Sequence, residues 1–185
     1  MGNTSLGGLV NLTALNKAVK KADVVYWMRS EALGLSPGYD YVSDGHFAVM
    51  ARIPVGANVF ATLAGLFGTI PYGKVMQWNR GRGASESQID FGKVLDVHHD
   101  VMVVDTTLTA HANIHDLRIY RAYEYYITVD VLYADMIDEV NDIWANADSP
   151  KASLLFVRGE EKALILPVNT GCEAYFMQYL ARVLS

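Results

Sequence analysis

Five histidines and one cysteine are the residues of this chain best suited to metal or covalent chemistry. His98, His99 and Asp100, with His111 and His115, form the metal candidate. Alternate residues of a strand share a face, so His98 and Asp100 can chelate one ion. On a straight strand His111 and His115 stand about 13 Å apart, from a rise near 3.3 Å per residue, which is too far for one ion. Cys172 adds no zinc-type spacing. A metal-dependent hydrolase using His98, Asp100 and one of His111 or His115 is therefore the weakest functional reading, and no metal or cofactor is expected. His46 sits in Ser43-Asp44-Gly45-His46. A catalytic histidine needs an orienting acid and a nucleophile, and neighbours in one tight turn cannot assemble that geometry. His46 reads instead as a turn residue that hydrogen-bonds locally or lines a groove. Gly81-Arg82-Gly83 lacks the Lys-Ser/Thr step of a phosphate loop. No residue is assigned a catalytic role, and the chain is not expected to be an enzyme.

Two further groups bear on binding. Lys17, Lys20 and Lys21 lie off the apolar stripe of a helical segment, and Arg80 and Arg82 lie in a Gly-rich stretch. All five are candidates for contact with a nucleic-acid backbone; the competing reading is an ordinary solvated surface. Tyr120, Tyr123, Tyr125 and Tyr126 could stack bases. Alternation puts Tyr123 and Tyr125 on one face and Tyr126 on the other, so some belong to a core, and the core reading is favoured.

The elements that must position these groups are legible from periodicity. Residues 11–22 have Leu12, Leu15, Val19 and Ala22 at helical spacing, with Asn11 as N-cap. Residues 24–28 are rich in strand formers. Residues 39–42 and 47–53 read as two strands joined at Asp44-Gly45, which supplies the positive φ a tight hairpin needs. Residues 56–70 read as a helix and 79–88 as a flexible polar loop, together part of an insertion over about 56–95. Strands follow at 101–104, 117–120 and 123–129. Residues 131–145 then look like the clearest helix, with Leu132, Met136, Ile137, Val140, Ile143 and Trp144 as its apolar stripe and Asp135, Asp138, Glu139 and Asp142 outside. A hairpin at 153–157 and 162–168 and a helix over about 171–184 complete the reading.

The class is therefore α+β, a single domain. A helix-plus-strands unit is duplicated, the first half-unit over about 11–55 and the second over about 98–168. The length of 185 residues and an apolar share of 51% allow a sizeable core. A net charge of -5 counts against a simple DNA-wrapping module, though not against one basic face on an acidic body. A single cysteine permits no intrachain disulfide and suits a reducing compartment. No apolar run reaches membrane-spanning length and no basic-then-apolar leader opens the chain, so a cytoplasmic protein without a membrane partner is expected.

Ser43-Asp44-Gly45-His46-Phe47-Ala48-Val49, followed by Ile53-Pro54, resembles a hairpin of the bacterial DNA polymerase sliding clamps, written roughly Thr-Asp-Gly-His-Arg-Leu-Ala. Leu164-Ile165-Leu166-Pro167-Val168 is similar to the Pro-containing strand near the end of those clamps, and residues 125–135 to the aromatic strand that enters a helix upstream of it. The resemblance covers about 11–55 and 120–168. It implies a duplicated domain whose helices face double-stranded DNA, and a groove that takes a short peptide from a polymerase or another replication protein. Carried over, Gly45, His46 and Phe47 form one side of the groove and Leu166, Pro167 and Val168 the other. Phe47 stands where the family has arginine. The family's subunits hold three domains and this chain has room for one, so a homo-oligomer is implied. The acidic second helix would repel phosphates. Beside this reading stands an unrelated α+β protein-binding or oligomerisation module.

Overall fold

The computed structural model describes residues 7–30, 38–112, 114–123, 125–148, 153–168 and 182. Helix α1 (Leu12–Lys21) starts where the Asn11 side chain accepts the Ala14 N–H at 3.0 Å. It buries Leu15, Ala18 and Val19, and Lys20 and Lys21 occupy its last turn, where the helix dipole favours cations. Strands β1 (Val24–Arg29), β2 (Asp40–Ser43) and β3 (Phe47–Ala51) follow as an antiparallel meander. Helix α2 (Asn58–Phe67) carries no charged residue and ends at Gly68, whose φ of 71° an L-residue adopts only with strain.

Strands β4 (Met76–Asn79) and β5 (Gly83–Glu86) form a second antiparallel pair beside β1. The polar loop expected at 79–88 is thus a hairpin. Gly81 and Gly83, at φ 77° and 80°, supply the left-handed positions that close it. Strand β5 is exposed along its whole length, so no apolar alternation marks it in the sequence. Residues 56–95, read as an insertion, carry α2, β4, β5 and helix α3 (Phe91–Leu95), and α2 contributes Val59, Phe60, Leu63 and Phe67 to the main core.

The remaining elements are β6 (Val101–Met102), β7 (Val104–Ala112), β8 (His115–Ala122), β9 (Tyr125–Asp130), α4 (Val131–Ala134), β10 (Asp142–Ala145), β11 (Leu154–Arg158) and β12 (Glu161–Ile165). The long helix expected at 131–145 is therefore wrong. Asp130 caps a helix that stops after one turn. The chain then meets the N-terminal segment: Asp138 N–H donates to the Leu9 carbonyl at 2.8 Å, and Val10 bridges Ile137. Ile143 and Ala145 then alternate inward as strand residues. Continued helix would have set Asp135, Asp138, Glu139 and Asp142 at three- and four-residue spacings, where like charges repel. The helix expected at 171–184 lies outside the described residues, Arg182 apart.

Nine strands form one sheet in the order β5-β4-β1-β2-β3-β12-β11-β10-β6; β7, β8 and β9 form a second. Among the described residues every pairing between these strands is antiparallel, and with four helices the class is α+β. A helix leads into three consecutive strands twice, as α1-β1-β2-β3 and as α4-β10-β11-β12. The two meanders meet back to back at β3 and β12.

One face of the large sheet packs α1, α2 and the small sheet around Trp27, Phe47, Val49, Tyr120 and Phe156. The other face is covered near its middle by Phe91 and Leu95 of α3, over Ala48 and Leu164. A buried ion pair ties the first face together. Asp40, with no exposure, accepts from Trp27 Nε1 at 2.8 Å and from Arg29 Nη2 at 3.0 Å, and Arg29 also reaches the Ile53 carbonyl. Burial outweighs these partners and raises the Asp40 carboxyl above its ordinary value.

Candidate functional site

The β2–β3 turn is built on Asp44. Its Oδ1 accepts the His46 N–H at 2.7 Å and the Phe47 N–H at 3.1 Å. Ser43 Oγ donates to the Phe47 carbonyl and accepts the Gly45 N–H. Gly45 has φ 92°, the left-handed geometry this turn requires. The other carboxylate oxygen of Asp44 accepts the Tyr133 hydroxyl at 2.9 Å, which joins the turn to α4. The His46 ring lies nearly parallel to Tyr133, at 5.9 Å and 12°. Burial, then the Asp44 charge, pushes the Tyr133 phenol well above its ordinary value, so it remains a donor at neutral pH.

Pairing of β3 with β12 sets Phe47 opposite Ile165, and the next residue continues the ladder: Leu166 N–H donates to the His46 carbonyl at 2.9 Å. Val168 N–H donates to the Thr128 carbonyl of β9 at 2.9 Å, so the segment after β12 spans the gap between the two sheets. Gly45, His46, Leu166, Pro167 and Val168, from distant parts of the chain, thus adjoin within one copy. Gly45, His46 and Leu166 are exposed; Pro167 and Val168 are half-buried. Phe47 is a correction. It is 2% exposed, so it supports the wall from beneath and offers nothing to a ligand. An arginine at that position would point its charge into the core. Tyr133 is absent from the residues singled out by sequence; its place just after the Asp130 cap is the available signal.

The basic residues also converge. Arg80 Nη2 donates to the Ala22 carbonyl at 3.1 Å and more weakly to that of Lys20 at 3.5 Å, and Arg80 Nε pairs with Asp23 at 2.8 Å. The β4–β5 turn is thereby fixed against the C-terminus of α1. Lys20, Lys21, Arg80 and Arg82 are all exposed at that corner. Lys17 is exposed as well, but it lines a cavity beside α4 instead. Arg80 is committed to capping α1 and to Asp23, which reduces what it offers a phosphate.

The histidines each find separate partners. His98 lies 3.5 Å from Asp100, His111 2.9 Å from Asp116, and His115 2.7 Å from Asp130. His99 contacts the Val97 and Ser153 carbonyls. Among the described residues, no three His, Cys, Asp or Glu side chains are grouped to hold a metal ion. Of the tyrosines, Tyr120 is core and Tyr123 is 81% exposed at φ 48°; Tyr125 donates to the Asn146 carbonyl at 3.3 Å, and Tyr126 is half-buried. Among the described residues no helix is long and apolar enough to cross a membrane.

Compared with protein-family models, curated proteins and solved structures, the chain has no match.

Proposed function

We propose that this chain is a non-enzymatic, clamp-like protein of DNA replication or its regulation, which holds a short extended peptide where the β2–β3 turn meets the segment after β12. The observation that carries the reading is the Leu166–His46 ladder bond, which brings together two segments that resemble the two sides of the clamp groove. An exposed leucine, a half-buried proline and valine, and a histidine stacked on tyrosine make an apolar shelf beside a fixed turn. An extended peptide gains affinity on such a shelf by burying alternate side chains. The repeated helix-and-three-strand order, meeting at β3 and β12, is what a duplicated unit would produce.

DNA is the second partner in this reading. The corner formed by Lys20, Lys21, Arg80 and Arg82 has the right sign. The acidic residues 135, 138, 139 and 142 leave α4 for a turn and a strand, so they form no second helix face opposed to phosphates. The competing reading, an unrelated α+β protein-binding or oligomerisation module, uses the β2–β3 hairpin as a contact surface and lacks DNA affinity.

Peptides selected from a displayed random library against the full chain test the groove. Wild type is expected to enrich short apolar sequences whose affinity falls at least tenfold on Leu166→Asp, with thermal unfolding unchanged. Equal binding to both proteins would remove the groove. Duplex DNA titrated from about 50 to 200 mM salt tests the second partner. Replacing Lys20, Lys21 and Arg82 by Gln is expected to flatten the log–log slope by about 0.9 for each phosphate no longer neutralised. Absence of DNA binding at the low-salt end transfers the function to the competing reading.

A further inference from the structure

Between α1, α4 and β7–β8 lies a half-open cavity of about 650 Å³, within the range of small-molecule sites. Tyr120 lines it and is only 3% exposed, its ring packed edge-on against Phe156 at 5.6 Å and 76°. Among the described residues no group hydrogen-bonds the Tyr120 hydroxyl, yet no fully buried side-chain oxygen or nitrogen lacks a partner. The hydroxyl therefore opens into the cavity, where a ligand or water must satisfy it.

The charges on the walls define that ligand. Arg118 and Asp105 form a two-pronged pair, both bonds 2.8 Å, and so largely neutralise each other. What remains is Lys17 against the carboxylates of Asp135 and Asp138, one positive group against two negative ones. Neither carboxylate forms an ion pair with a described residue, and Asp135 is close enough to raise the Tyr120 phenol together with burial and Asp105. An anion would meet the two carboxylates, with Arg118 already engaged. An ammonium brings three donors to the Tyr120 hydroxyl and two carboxylates, against which stands the one cation Lys17.

We propose that this cavity binds a small aliphatic amine, its ammonium shared between the Tyr120 hydroxyl and the carboxylates of Asp135 and Asp138. The site is separate from the peptide groove and stands whether or not the clamp-like reading does.

Calorimetric titration of the full chain with 1,4-diaminobutane tests it, with butyrate and 1-butanol as controls. Saturable binding of the diamine is expected, with neither control matching it. Tyr120→Phe keeps the packed ring, and Asp135→Asn changes an exposed carboxylate; each is expected to weaken the diamine roughly tenfold, the scale of one hydrogen bond to a charged group. No binding by wild type overturns the proposal, as does unchanged affinity in both variants or equal affinity for butyrate. Should Tyr120→Phe fail to fold, Asp135→Asn decides the outcome alone.

Discussion

Asp44 and Tyr133 provide the most exacting test of how the β2–β3 turn is held. The Asp44 side chain is 6% exposed and accepts from two backbone amides and one phenol. Asp44→Ala leaves all three donors without it. The two amides resemble those at a helix N-cap, where loss of the acceptor costs about 0.5–2 kcal/mol. A hydrogen bond to a charged group contributes about 1.5–3 kcal/mol. The His46 amide is at the surface and can turn to water, so the whole loss is about 2–4 kcal/mol, below the sum. Tyr133→Phe keeps the ring under His46 and removes only the hydroxyl, leaving Asp44 two donors; its cost is about 1–2 kcal/mol. Both changes break the same bond, so the double variant should cost less than the two singles added, by about 1–2 kcal/mol. Urea unfolding of the four proteins at unchanged m-value measures the cycle. Additivity within about 0.5 kcal/mol would show that the bond contributes nothing. The turn would then be held by the two amide bonds to Asp44, by Ser43 and by the β3 ladder, and α4 would meet it only through the Tyr133 ring.

Asp40→Ala removes two of the three Arg29 side-chain hydrogen bonds and strands the Trp27 indole N–H in the core; a loss of about 3–5 kcal/mol is expected in urea unfolding, and a loss below about 1 kcal/mol would mean that water replaces the carboxylate there. Gly45→Ala meets open space but a φ of 92°, so its cost of about 1–2 kcal/mol is wholly conformational. A thermal midpoint equal to that of wild type would show that the turn relaxes to another form.

Local signals make much of this fold readable. Asn11 and the spacing of Leu15 and Val19 mark α1, and Asp44-Gly45 marks the β2–β3 hairpin with its strands on either side. Where the reading fails, tertiary contact decides. Residues 131–145 have genuine helical periodicity, but Ile143 and Ala145 suit a strand equally well, and capture of residues 137–139 by Gly8, Leu9 and Val10 settles the choice. Strand β5 has no buried residue and leaves only Gly81 and Gly83 of its turn as a signal. Of the candidate site, the two motifs are visible in the sequence and their adjacency is not, because it depends on one antiparallel pairing, β3 with β12. Phe47 is misplaced by the motif because a one-residue step along a strand exchanges the two faces, and the motif alone does not say which face is core.

That pairing also bears on why the proposed groove lies at one end of the junction. The two meanders meet at β3 and β12, so the junction has two ends of similar construction: a tight turn beside the segment that leaves the opposite strand. At one end stand the Asp44 turn and Leu166–Val168. At the other stand the β11–β12 turn, with Gly159 at φ 59°, and the Arg52–Pro54 segment. The second end is a depression of about 1020 Å³ in which several charged groups are already engaged. The Tyr39 hydroxyl donates to Glu160 at 2.6 Å and accepts from Arg52 at 3.1 Å. Glu161 takes the Leu9 amide at 2.7 Å, and Arg158 pairs with Glu139 at 2.8 Å while also donating to the Gly7 carbonyl. A peptide entering there would have to displace charged partners and the N-terminal segment together. At the Asp44 end it would meet an exposed leucine and a stacked histidine, whose burial removes apolar surface from water without breaking an ion pair between strands. A similar backbone geometry therefore yields one end occupied by paired charges and one end with an exposed leucine. The side chains, rather than the symmetry of the sheet, make the two ends different.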